Sequence, residues 1–219
     1  MKLATCLGAA GALLAGGVAY GAAATIVGQG DNTFNATNYA IDQGDTSTLQ
    51  IAGGTHNATA SQSGPDGKAL FRSSTISGGS TAVDGTEYLT TGNYPFICTI
   101  HPTTMQATLS VSSNGTPKPR PQISLKLNSR KLAKVVAKGK LQVEINSSAK
   151  ADGASVTAKL GKTTIARAPD LSLTAGPQRE ILKVGKQGRK KLDGREKATI
   201  VLNGSVPFGF PATATGKLK

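Results

Sequence analysis

The stretch Tyr94-Pro95-Phe96-Ile97-Cys98-Thr99-Ile100-His101-Pro102-Thr103-Thr104-Met105 places a thiol, an imidazole and a thioether within a single loop. Asn93 to Ile97, ahead of it, is built from aromatic and β-branched side chains and reads as a short strand. Gln106 to Ser112, behind it, alternates through Ala107, Leu109 and Val111 and reads as another. A loop of metal-seeking side chains between two strands sets the theme for the chain on either side.

Thiolate sulfur, imidazole nitrogen and a weak thioether are the donors that copper takes in an electron-transfer site, which needs two histidines and one cysteine as strong ligands. The loop supplies His101, and the sequence holds one other histidine, His56, in Gly53-Gly54-Thr55-His56-Asn57. The expected ligands of one copper ion are therefore His56, Cys98, His101 and Met105. Cys98 would bind as a thiolate and both histidines as neutral imidazoles, each with its second nitrogen free for an outer contact. Met105 would be the long axial ligand, with Gln106 as its substitute, because a glutamine oxygen can take that place. The competing reading is a buried structural Cys98 with two incidental histidines.

Outward from the site, short runs rich in Thr, Ser, Val and Gly favour strands and imply an all-β protein. Thr33–Ile41, Thr46–Ile51, Asn57–Ser61, Lys68–Ile76 and Thr86–Leu89 are the further expected strands, with breaks at Ser63-Gly64-Pro65-Asp66-Gly67 and Ser77-Gly78-Gly79-Ser80. Residues 1–24 read as an export signal: Met1-Lys2, an apolar run from Leu3 to Val18, and Ala22-Ala23-Ala24 as a small-residue cleavage site. A retained membrane anchor is the alternative. Cleavage removes Cys6 and Met1, so the expected mature chain keeps Cys98 and Met105 as its sole sulfur side chains and can form no internal disulfide. The expected location is outside the cytoplasm: extracellular, cell-surface or periplasmic.

The net charge of +13 is unevenly distributed. Residues 25–115 carry two basic against six acidic residues, whereas residues 116–219 carry 22 against six, a net of +16. Residues 114–121 lie at the change, and Pro117, Pro119 and Pro121 stiffen them into a polyproline-like spacer expected to hold two domains apart, 25–113 and 122–219. In the second domain Ile123-Leu125-Leu127, Leu141-Val143-Ile145, Val156 to Leu160, Ile181 to Val184 and Ile200 with Leu202 alternate as strands. Ser129–Lys138 and Lys186–Leu192 are each expected to hold a helical turn. Nucleic acid is not the expected partner of this charge, since aromatics for stacking bases are nearly absent. An anionic cell-wall polymer or membrane surface is.

Residues 25–112 resemble a cupredoxin, the plastocyanin and amicyanin type of blue-copper protein, through Gly54-Thr55-His56-Asn57 and Tyr94 to Pro102. The resemblance implies a Greek-key β-sandwich, a type 1 copper site, and an Asn57 that ties the two ligand loops near the Cys98 sulfur. It also implies that His101 is the exposed ligand, beside Pro102, where electrons leave. One spacing departs from the closest patterns: three residues separate His101 from Met105, where plastocyanin-like loops have four and amicyanin-like loops two; azurin-like loops also have three, but with a longer gap from cysteine to histidine. The second domain resembles the lysine-rich immunoglobulin-like modules of exported actinobacterial proteins, in its alternation and in Gly188-Arg189-Lys190-Lys191-Leu192. The expected function is to carry single electrons between redox partner proteins, without catalysis: copper oxidases need further histidine clusters that two histidines cannot build. Copper delivery, and surface adhesion with an accessory copper site, are the alternatives.

Overall fold

The computed structural model describes residues 23–219; the expected export signal falls on residues 1–22, outside the described residues, except for its last two alanines. Residues 25–115 form eight strands: β1 (Thr25–Gly28), β2 (Asn38–Gln43), β3 (Ser47–Ile51), β4 (Thr59–Ala60), β5 (Arg72–Ser73), β6 (Gly79–Asp84), β7 (Gly92–Ile97) and β8 (Gln106–Gly115). They pair in the order β1-β3-β6-β5-β4-β7-β8-β2, with β1 parallel to β3 and β2 parallel to β8. The edge strands stand at opposite ends of that order, yet Ile26 of β1 and Ile41 of β2 share one core with Leu49, Val83, Phe96 and Leu109. The sheet therefore folds over on itself into a β-sandwich, as the alternation of apolar and polar residues requires. At its centre the ring of Phe96 lies 5.0 Å from Phe34, 5.9 Å from Tyr39 and 5.9 Å from Phe71.

Register decides where a site can form. Ile51 pairs with Gly79 at one end of β3 and Ser47 with Val83 at the other. The chain runs from Ile51 to His56 and from Ile97 to Cys98, so the ligand-bearing loops leave from related strand ends. Two expectations change here: the expected strand Lys68–Ile76 is a strand only over Arg72–Ser73, with isolated bridges at Ala69 and Ile76, and the other lies at residues 86–89. Thr86–Leu89 is not a strand but a 3₁₀ turn over Thr86–Tyr88: Gly85 reverses the chain at a φ of 99°, and the buried Thr86 hydroxyl accepts the Ser47 N–H at 3.1 Å. The strand is β6 instead, running through Gly79 and Ser80, where pairing with β3 overrides a sequence that reads as a break.

Beyond residue 121 come β9 (Ile123–Leu127), α1 (Leu132–Lys138), β10 (Lys140–Ser147), β11 (Ala151–Leu160), β12 (Thr163–Leu173), β13 (Gly176–Lys183), α2 (Lys186–Leu192), β14 (Ala198–Ser205) and β15 (Ala212–Leu218). A three-stranded sheet, β13-β10-β9, and a four-stranded one, β12-β11-β14-β15, share a core of their own that includes Leu141, Val143, Val156, Leu182, Ile200 and Leu202. Both basic stretches hold a short helix, α1 and α2, at the place of the expected helical turn.

The proline-rich segment does not keep the two sandwiches apart. Lys118 N–H donates to Glu87 O at 2.8 Å, and Arg120 Nη1 donates to Phe208 O at 2.9 Å. Phe208 N–H in turn donates to Asp66 Oδ2 at 3.0 Å, and the Arg72 guanidinium lies 4.1 Å over the Phe208 ring. Prolines straighten the segment but leave Lys118 and Arg120 their hydrogen-bond donors, and Phe208, isolated in Val206-Pro207-Phe208-Gly209, gives no periodic signal of its destination.

Candidate metal centre

The β7–β8 ladder clamps the ligand loop at both ends: Ile97 pairs with Gln106, and Cys98 N–H donates to Met105 O at 3.0 Å. Inside it, His101 N–H donates to Cys98 O at 3.1 Å, and Met105 N–H donates to His101 O at 2.9 Å. The loop is thus two turns in succession, the first closing over three residues and the second over four. The separation of His101 from Met105 is the spacing that the second turn needs.

His56 is held from the other side. Its N–H and C=O both pair with Ile76 at 3.0 Å, which fixes the backbone. Its Nε2 lies 2.9 Å from the carbonyl oxygens of both Gln29 and Gly53. Two acceptors at one ring nitrogen assign the proton to it, which leaves Nδ1 as the free lone pair. That Nδ1 is 3.9 Å from Cys98 Sγ, and His101 Nδ1 is 3.7 Å from the same sulfur. The ligand atoms of His56, Cys98 and His101 all lie within 4.8 Å of one another. His56 and Cys98 have no solvent exposure, while His101 is half-buried and Pro102 beside it exposed.

Met105 has no exposure either and packs in the same core as Cys98. Gln106, the expected substitute, is exposed and spends its amide on Pro102, donating from Nε2 to the carbonyl oxygen at 2.7 Å. Asn57, 5 % exposed, bridges the two loops: Nδ2 donates to Thr75 Oγ1 at 2.9 Å and to Thr99 Oγ1 at 2.8 Å, and Oδ1 accepts the Thr99 N–H at 2.9 Å. The residue after His56 is thereby bonded to the residue after Cys98.

Gln29 and Gly28 support the site without having stood out in the sequence, and Gly54, which the sequence offers only as part of the His56 motif, supports it too. A Cβ on Gly28 would lie 2.9 Å from His56 Cδ2, and one on Gly54, where φ is 81°, only 2.6 Å from Nε2. Gly53-Gly54 just ahead of the histidine is the signal that could have found the second of these; Gly28 and Gln29 had none.

No protein-family model matches the chain, and no curated protein does. Solved structures do. Auracyanin A, a "blue" copper protein from the green thermophilic photosynthetic bacterium Chloroflexus aurantiacus, is 20 % identical over 42 % of this chain and 98 % of its own, with a TM-score of 0.35. A purple cupredoxin from Nitrosopumilus maritimus is 23 % identical over 41 % and 99 %, at a TM-score of 0.33. Amicyanin from Paracoccus versutus is 19 % identical over 41 % and 81 %, at 0.34.

The side chains decide what the site can hold. Two imidazole nitrogens and a thiol converge where water has little access, one imidazole is already oriented by backbone carbonyls, and a thioether lies in the same core. That donor set fits copper.

Proposed function

We propose that the chain binds one copper ion, which His56 Nδ1, Cys98 Sγ and His101 Nδ1 would hold with Met105 as a further, weak ligand, and carries single electrons between protein partners outside the cytoplasm. The observation that carries this reading is the convergence of three ligand atoms from two loops within 4.8 Å of one another. Bound copper would supply a one-electron couple. The chain's own part is to keep its ligands still: the Cys98–Met105 and His101–Met105 backbone bonds, the Asn57 bridge and the two carbonyls on His56 all restrain movement between oxidation states. His101, half-buried, with Ile100 46 % exposed next to it, gives electrons a short way out to a docked partner. A sequence with two histidines has none left for a second copper cluster, which supports a carrier over an oxidase.

The test is voltammetry of the copper-loaded chain. A reversible one-electron wave with fast exchange is expected. A copper complex that gives only slow, irreversible reduction contradicts the carrier role.

A further inference from the structure

From residue 116 onward the chain carries 22 basic against six acidic residues, yet among the described residues a single ion pair falls there, Lys126 with Glu144 at 3.6 Å. Seven of the basic residues line two adjoining hollows. Arg130, Lys131, Lys134, Lys138 and Lys140 line a groove of about 370 Å³ whose other walls are Asn128, Ser129, Val135, Gln142 and Ile181, with no carboxylate among them. A second hollow, about 560 Å³, shares Arg130 and Lys131 and adds Lys217 and Lys219. The two are joined by backbone: Lys219 N–H donates to Arg130 O at 2.9 Å and Leu132 N–H to Lys219 O at 2.8 Å.

These cations gather against their own repulsion. Lys134 and Lys138 are one turn apart on α1, a helix with no acidic residue, and like charges at that spacing disfavour it. Lys140 of β10 stands directly opposite Lys183 of β13, an unfavourable cross-strand pair. Two local rules broken side by side, with no acidic side chain lining either hollow, mark a place kept for a ligand.

We infer that this track binds a linear aliphatic phosphodiester polymer, a polyol phosphate. It is a polymer because seven cations run through two adjoining hollows, and Lys131 to Lys138 alone span about 10 Å of helix. Phosphate suits the set: six of the seven are lysines, which bind phosphate oxygens as point charges, and Arg130 adds a guanidinium whose fork also matches phosphate; an acidic peptide is the carboxylate competitor that the test includes. The polymer is aliphatic because neither hollow has an aromatic side chain to stack a base, while the 53 % exposed Ile181 offers aliphatic contact. A concave surface with one exposed apolar side chain is poorly shaped for a bilayer, which takes up a whole apolar face.

Poly(glycerol phosphate) binding to the full chain, followed by calorimetry at about 0.15 M salt, tests this. Binding is expected, with glycerol phosphate monomer far weaker, and Lys134→Glu/Lys138→Glu should reduce affinity roughly tenfold or more. Lys150→Glu/Arg167→Glu, with the same charge change at exposed positions in neither hollow, should change it less than about twofold. Lys134→Gln/Lys138→Gln, which brings no new acid to the helix, should lose affinity in the same direction by a smaller factor. Equal losses in both reversal variants, no binding by the unaltered chain, or tighter binding to phosphatidylglycerol vesicles, an acidic peptide or oligothymidylate would overturn the assignment. Copper plays no part in the assay, so its result is independent of the electron-carrier reading.

Discussion

His56 is the residue on which the site turns, because both ends of its ring are committed. Nε2 faces the carbonyls of Gln29 and Gly53, and Nδ1 faces Cys98. Gly54→Ala would drive a methyl to 2.6 Å from Nε2 at a φ of 81° that disfavours any side chain. We expect that variant to fold and to bind copper at least about tenfold more weakly, in line with losses from disturbed outer-shell contacts, as read by competition with a copper chelator. Met105→Leu should keep the colour of the copper protein and raise its reduction potential, since losing a weak donor costs the doubly charged ion more than the singly charged one. An unchanged potential in voltammetry would remove Met105 from the ligand set. His56, Cys98, His101 and Met105 could be singled out from the sequence because the chain has so few side chains of those kinds. Gly28 and Gln29 could not, since a carbonyl acceptor and a missing Cβ are properties of backbone geometry.

Strands and turns explain why those residues meet. The loop from Cys98 to Met105 is rigid because β7 and β8 remain paired up to its first and last residues, and Asn57 binds it to the His56 segment. Asn57→Ala would leave the Thr99 N–H without its acceptor, at about 1–3 kcal/mol, and should lower the melting temperature of the metal-free protein. Phe96→Ala would empty the space among Phe34, Tyr39 and Phe71, at about 3–5 kcal/mol, which urea unfolding can measure. Alternation made most strands legible, among them β3, β7 and β8. It failed at Thr86–Leu89, where Gly85 and a buried threonine hydroxyl make a turn out of β-forming residues, and at β6, whose glycine-rich start becomes a strand only because β3 is there to pair with it.

At the scale of the whole molecule the two sandwiches meet through Phe208, which adopts the left-handed region at a φ of 60°. That conformation costs a bulky residue about 1–2 kcal/mol, and it is held by hydrogen bonds to Asp66 and from Arg120 and by the Arg72 guanidinium over the ring. Phe208→Ala keeps those backbone bonds but removes the ring from under Arg72 and beside Tyr88, and should weaken the coupling of the units: we expect one calorimetric transition for the unaltered chain and two for the variant, with faster proteolysis between residues 116 and 121. The contact also involves Gly85 and Tyr88, at the Ser47–Val83 end of the sheet, whereas His56 and Cys98 follow Ile51 and Ile97. The basic unit thus leaves His101 and Pro102 accessible. Charge and proline content separated the two halves in the sequence, but the clasp between them centres on an isolated aromatic residue that no pattern announces. The measurement that bears most directly on the account is the visible spectrum of the chain with one equivalent of Cu(II), beside that of Cys98→Ser. An intense thiolate-to-copper charge-transfer band, absent from the variant, is the result expected; a colourless complex, or a band that survives the loss of Cys98, would contradict it.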